Sequence, residues 1–221
     1  MRRSAVHASK RIPLASVALA IALATSVAQP ASAQDAPPPT LEALLERFAS
    51  SPGFEARFVE EKRIALLAVP MRSEGQIWFA PPGRLMRRVT RPDPSAALIA
   101  DGRLRMRQGD RIEELTIDDN PVLRGFIDSF RAVLAGDRAA LERYYDATYT
   151  PSAEGWELRL RPRGGALARF LREIHLRGAG VVIREMRMIE VNGDETRTTF
   201  SDVDTRRRFS AAEARTIFRV D

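Results

Sequence analysis

The chain contains no cysteine, and its lysines and histidines number two each: Lys10 and Lys62, His7 and His175. Without cysteine there is no disulfide framework, no thiolate metal site and no thiol nucleophile. One histidine beyond the N-terminal region is too few for a zinc site of ordinary ligand spacing. His175 sits in an alternating stretch opposite Ile174 and Leu176, which places it on the surface. No G-x-S-x-G elbow, phosphate-binding glycine loop or H-E-x-x-H pair occurs. The carboxylate pairs Glu60-Glu61, Glu113-Glu114 and Asp118-Asp119 could suggest glycoside chemistry. Neighbours on a strand point to opposite faces, so these pairs are expected at solvated edges instead. No catalytic residue, no metal and no cofactor is expected.

A long hydrophobic run is also missing. The longest apolar stretch, residues 12–28, falls short of the ~20 apolar residues of a spanning helix and contains Pro13, Ser16, Thr25 and Ser26. It follows Arg2, Arg3, Lys10 and Arg11 and precedes the small-x-small tripeptide Ala31-Ser32-Ala33. That order describes a secretory signal peptide over residues 1–33, cut after Ala33, with the remainder exported. The formal charge of +6 then shrinks, because four of the 35 basic residues leave with the signal. What remains is rich in arginine and nearly balanced by 29 acidic residues spread along the chain. An even mixture of signs is a solvated surface, so no nucleic acid is expected as partner.

Residues 34–39, "QDAPPP", read as an extended proline-rich leader, and residues 40–221 as one domain. Thr40 can cap a helix whose apolar face is Leu41, Leu44, Leu45 and Phe48. From Phe54 to Asp119 the period changes to two. Six short strands are expected: "FEARFVEEK", "GQIWF", "RLMRRVT", "AALIA", "RLRMR" and "RIEELT". Asp101-Gly102 marks one hairpin and Pro81-Pro82-Gly83 a corner between two others. Asn120-Pro121 opens a longer helix with the stripe Val122, Leu123, Phe126, Ile127, Phe130, Val133 and Leu134, ending at Gly136. A shorter helix, "RAALERYYD", follows. Strands resume with "GWELRLRPR", "EIHLRG", "VVIREMRMIEV" and, after the turn Asn192-Gly193-Asp194, "TRTTFSDVD". "SAAEARTIFRV" reads as a helical turn leading into a last strand. The fold class is therefore α+β, mostly β: a curved antiparallel sheet with amphipathic helices, enclosing either a filled core or a ligand cavity.

The segments "FEARFVEEK", "EGQIWFAPPGRLMRRVTRPD" and "ALIADGRLRMR", in this order and spacing, resemble the outer-membrane lipoprotein carrier (LolA-like) family. The late "NGDETRTTFSDV" and "FSAAEARTIF" fit its last hairpin and closing strand more loosely, so the likeness runs from about Leu41 to Val220. The resemblance implies a single-domain unclosed antiparallel β-barrel, or half-barrel, whose mouth is covered by helices and whose apolar inside holds acyl chains. It also implies a monomeric periplasmic carrier that takes a lipoprotein from an inner-membrane transporter to an outer-membrane acceptor. Many members carry an arginine just before the corner proline that holds the lid closed. Here that position is Pro81, Arg84 and Arg87 are offset from it, and Arg87 stands where a tryptophan is common. These departures suggest a specialised relative carrying another lipid, such as a polyene or glycolipid. The cavity wall is expected from Phe58, Ile77, Phe79, Leu85 and Val89, with Leu104, Met106, Leu158 and Leu160 continuing it. Phe126, Ile127 and Phe130 would turn inward from the lid helix. Methionines 86, 106, 186 and 188 could adapt to a flexible ligand. A different class of function, a periplasmic sensor or scaffold that binds protein on the same half-barrel, fits the same pattern. Intact-mass measurement of the exported protein should give Gln34 as first residue. A chain still carrying residues 12–28 would contradict the signal-peptide reading.

Overall fold

The computed structural model describes residues 40–220, all within one compact unit, Ala31–Asp221. The expected signal peptide and proline-rich leader lie outside the described residues. Helix α1 (Leu41–Ala49) begins at Thr40, whose hydroxyl accepts the Ala43 amide at 3.2 Å. Its apolar face, Leu41, Leu44, Leu45 and Phe48, is buried. Six strands follow, as the period-two pattern predicts: β1 (Phe54–Arg63), β2 (Met71–Ala80), β3 (Arg84–Arg91), β4 (Ser95–Ala100), β5 (Arg103–Gln108) and β6 (Arg111–Thr116). The predicted hairpin at Asp101-Gly102 is present, with both residues at positive φ.

A short 3-10 turn at Ile117–Asp119 leads into α2 (Pro121–Ala135). The Asn120 side chain accepts from the amides of Val122 and Leu123, and Pro121 occupies the first turn, where its missing N–H costs nothing. Gly136 ends the helix in the left-handed conformation. A Cβ there would come within 2.6 Å of the Leu45 carbonyl oxygen, so glycine is also required for α2 to approach α1.

Helix α3 (Arg138–Tyr144) follows, then β7 (Tyr145–Ser152), β8 (Gly155–Pro162), α4 (Gly165–Phe170), β9 (Leu171–Ala179), β10 (Val182–Glu190) and β11 (Glu195–Asp204). Neither β7 nor α4 is legible in the sequence. "DATYTPS" is largely exposed and interrupted by proline, and α4 is a single short turn between two strands.

All eleven strands form one antiparallel sheet in the order β6-β5-β4-β3-β2-β1-β11-β10-β9-β8-β7. Two meanders thus run outward from the central β1–β11 pair. The edge strands β6 and β7 do not pair, so the barrel is unclosed. The register places Phe58, Ile77, Phe79, Leu85, Val89, Leu104 and Met106 on one face, the concave one. On the other half, Leu160, Ile174 and Met188 form one cross-strand row, and Leu158, Leu176 and Met186 form the next.

The convex face is not uniformly polar. Helix α5 (Ala211–Ile217) lies across it, and Trp78, Met86, Ala96 and Val220 form a second buried cluster there with Phe209 and Phe218 packed alongside. The expected final strand is absent: residues after α5 form no strand, and Val220 is buried against Trp78 and Met86 instead. The Arg88 guanidinium stacks on Trp78 and donates to the carbonyls of Thr216, Ile217 and Arg219, satisfying acceptors that the end of α5 leaves open. Met86 is therefore a core residue, not an adaptable wall residue.

Elsewhere the convex face carries a lattice of ion pairs. Arg187 donates to Glu195 at 2.6 Å and Arg161 to Glu173 at 3.1 Å. His175 is not the exposed residue that alternation suggests. Its side chain is 12 % exposed, with Nε2 at 2.8 Å from Glu173. Burial pushes the Glu173 carboxyl up, but hydrogen bonds from His175 and Arg161 outweigh it and the net shift is downward. The long neighbouring arginines shield this strand, which alternation cannot register.

Because Met86 is fully buried, Met86→Ala should lower unfolding stability by about 2–5 kcal/mol in denaturant titration. A loss below about 0.5 kcal/mol would mean that the C-terminal segment does not cover this face.

Candidate functional site

Between the sheet and α2 lies a cavity of about 110 Å³. Its floor is Phe54 and Ala56 of β1, Ile77 and Phe79 of β2, Phe200 and Val203 of β11, and Ile183 and Met186 of β10. Leu160, Ile174 and Leu176 close one side, and Phe48 of α1 another. Phe126, Phe130, Val133 and Leu134 of α2 form the roof. Only Ser51 and Thr205 interrupt the apolar lining, and the Ser51 hydroxyl is already engaged, donating toward the carbonyls of Thr205 and Gly53. A space of this character stays dry and accepts apolar matter only.

Five of the twelve expected wall and lid residues line this cavity: Ile77, Phe79, Leu160, Phe126 and Phe130. Seven lie elsewhere. Leu104 and Ile127 are buried with Ile117 in a separate cluster, with Met106 packed on it. Leu158 is fully buried in the main core beside Trp156. Leu85 shares the concave face and pairs with Phe79 but does not border the space. Phe58 and Val89 face each other across Gly75 and do not border the space, although Phe200, the partner of Phe58 on β11, does. The lid stripe is thus divided between two cores, because an α2 of fifteen residues crosses a sheet wide enough to present both. Residues such as Phe200, Val203 and Ile183 were missed; they come from β10 and β11, which only pairing brings beside β1, whereas Met186, expected among the adaptable methionines, does border the space.

Past Phe58 the concave face turns polar. The Arg87 guanidinium lies 4.5 Å from the Phe58 ring centroid and donates to Glu60 at 2.9 Å. The hydroxyl of Thr198, itself buried, donates to the other Glu60 oxygen at 3.2 Å. Glu60 is therefore not the solvated-edge carboxylate expected from its neighbour Glu61. It is half of a partly enclosed ion pair on the inner face, and Arg87 is its partner. Gly75 makes room for this layer: a Cβ there would sit 1.9 Å from the Arg88 carbonyl oxygen and 2.9 Å from Phe58 Cζ.

A family model described as outer membrane lipoprotein carrier protein LolA-like matches residues 29–218. The chain belongs to this LolA-like family. Sequence comparison with characterised proteins returns no significant match. Among solved structures, it is similar to a LolA superfamily protein from Nitrosomonas europaea at 11% identity, covering 78% of this chain and 96% of that one, TM-score 0.41. It is also similar to the MucA/MucB complex of Pseudomonas aeruginosa, at 16% identity over 78% of this chain and 59% of that one, TM-score 0.46. An outer membrane lipoprotein-sorting protein domain from Vibrio parahaemolyticus gives 11% identity, 81% and 98% coverage, and TM-score 0.43.

In this LolA-like chain Pro81, expected where relatives carry an arginine, lies on the exposed corner between β2 and β3. The neighbouring Gly83 lies under the Arg131 guanidinium of α2. Among the described residues, no group of three or more acidic or histidine side chains could hold a metal. A double-mutant cycle on Glu60→Ala and Arg87→Ala should give a coupling energy of about 1–2 kcal/mol, above the value of an exposed pair. Coupling near zero would mean that the inner-face ion pair is solvated like a surface one.

Proposed function

We propose that this LolA-like protein is a periplasmic carrier that shields the acyl chain of a lipid or lipoprotein in transit from the inner to the outer membrane. The observation that carries this reading is the apolar cavity roofed by Phe126 and Phe130, side chains of the segment that spans the open side of the sheet. Each methylene withdrawn from a bilayer into water costs ~0.8 kcal/mol, so an acyl chain of about sixteen carbons needs more than 10 kcal/mol of shelter. Ligand pockets run to ~300–1,000 Å³, and the cavity of about 110 Å³ is well below that range. A chain therefore enters only if it displaces the α2 side chains, and its methylenes then take over the contacts those side chains made. The exchange of like for like keeps the net free energy small, which a carrier needs in order to release what it binds. No enzymatic step is part of this reading.

The same small volume supports a second reading, a periplasmic sensor or scaffold whose lid stays shut and which binds protein instead of lipid. Native mass spectrometry of the protein isolated from its own cell envelope separates them. The carrier reading expects stoichiometric lipid, lost in Phe130→Asp with the circular-dichroism spectrum unchanged. Lipid-free protein from the envelope would favour the scaffold, whereas undiminished lipid in Phe130→Asp would remove α2 from the mechanism.

A further inference from the structure

One end of the sheet, opposite the Pro81–Gly83 corner, exposes an unusual set of side chains. The loop between β1 and β2 carries Leu66 at 94 % exposure, Leu67 at 53 %, Val69 at 73 % and, at the start of β2, Met71 at 56 %. Hairpin tips ordinarily carry polar residues, glycine and proline, whose side chains or backbone suit water. This one presents four large apolar side chains without cover. Two more exposed apolar residues adjoin it: Phe170 ends α4, and Val191 opens the β10–β11 turn. Hydrogen bonds tie these segments together. The Ala65 amide donates to Asp194 at 2.9 Å, and the Val191 amide donates to the Phe170 carbonyl at 2.9 Å. Among the described residues, the other large exposed apolar side chains, Ile112 and Leu115, lie on edge strand β6.

The charge around this rim has an excess of one sign. Arg72, Arg169 and Arg172 are exposed, and among the described residues none of them forms a salt bridge to a carboxylate; Arg63 is exposed and pairs only with Glu61. The other acids of the region are buried or paired. Glu190 is 5 % exposed and paired with Lys62, Asp194 is 8 % exposed and accepts the Ala65 amide, and Glu195 is paired with Arg187. A protruding apolar tip flanked by arginines, its nearby carboxylates buried or paired, is complementary to one kind of surface. Leucines can enter the acyl boundary while guanidinium groups meet anionic headgroups at the depth of the interface. A protein partner would need a concave receptor matched to three separate turns, for which nothing on the rim argues.

We propose that this rim, built from the β1–β2 loop, the end of α4 and the β10–β11 turn, docks the protein reversibly on an anionic phospholipid bilayer. The proposal does not depend on the cavity holding lipid.

Vesicle flotation tests it, with the protein purified as its host exports it. Vesicles of phosphatidylcholine mixed with phosphatidylglycerol should carry the protein up, and vesicles of phosphatidylcholine alone should do so weakly. Added salt should reduce the difference. The double substitution Leu66→Asp, Leu67→Asp should lower partitioning at least about tenfold. Its thermal midpoint should not change, because both side chains already face water. Arg72→Glu with Arg172→Glu should remove the preference for the anionic vesicles. Absence of flotation with either vesicle overturns the proposal, as does equal flotation of the aspartate variant or binding of the rim to a protein with no affinity for vesicles. Lipid retained in the purified aspartate variant, read by native mass spectrometry, keeps this outcome separate from that of the carrier reading.

Discussion

The strands at the two free edges of the sheet, β6 and β7, are consecutive in the chain yet lie ten positions apart in the strand order. Whatever joins them has to travel from one rim of an open barrel to the other. The inner face it crosses is apolar over most of its width, so the connecting segment must itself be apolar toward the sheet. Helix α2 satisfies that demand with Phe126, Phe130, Val133 and Leu134 over the cavity and with Leu123 and Ile127 over the Leu104–Ile117 cluster. The roof over the cavity is thus a consequence of connectivity. A closed barrel would need no such crossing, and a flat sheet would offer no hollow beneath it.

The two faces of the sheet solve opposite problems. Inside, large side chains leave a small unfilled space, since the roof residues meet the floor without interdigitating fully. Outside, the β1–β4 half is sealed by the C-terminal segment, with Arg88 closing the end of α5 and Phe209 edge-on to Phe218. The other half is protected by arginine–glutamate pairs whose aliphatic stems cover the strands and whose charges discourage sheet-to-sheet association. Arginine suits this task better than lysine because its planar fork can engage two carboxylates or carbonyls at once, as Arg207 does with Glu55 and Glu213. The scarcity of lysine noted in the composition has this structural counterpart.

Along the strands the inner face changes character at Phe58. On one side are Ala56, Ile77 and Phe79; on the other are Glu60, Arg87 and Thr198, held to one another. Enclosing an ion pair beside apolar surface costs desolvation that the pair's own attraction only partly offsets. The pair interrupts the apolar inner face where side chains of β1, β3 and β11 meet, while the rows that continue across β10, β9 and β8, with Met186, Leu176, Ile174 and Leu160, stay apolar.

Most of the secondary structure is legible in the order of residues, because local steric and hydrophobic periodicity act over three to ten positions. The six early strands, the Thr40 and Asn120 caps, the left-handed Gly136 and the Asp101-Gly102 hairpin all follow from short-range rules. Alternation also assigns Phe58, Ile77 and Phe79 to one face, since a strand allows only two. What alternation cannot say is which of two faces will be covered, or by what. Met86 and Trp78 alternate with the inner-face residues and are buried because a segment some 130 residues later folds over them. Glu60 and His175 read as solvated and are enclosed because Arg87 and Thr198 reach Glu60, and Arg159, Arg187 and Glu157 flank His175, from other strands. The sequence by itself determined most of the elements, the alternation of their faces and the membership of the family. Only the tertiary structure decided where the hollow lies and which side chains border it, since contacts between distant strands depend on pairing order and curvature, which no local pattern encodes.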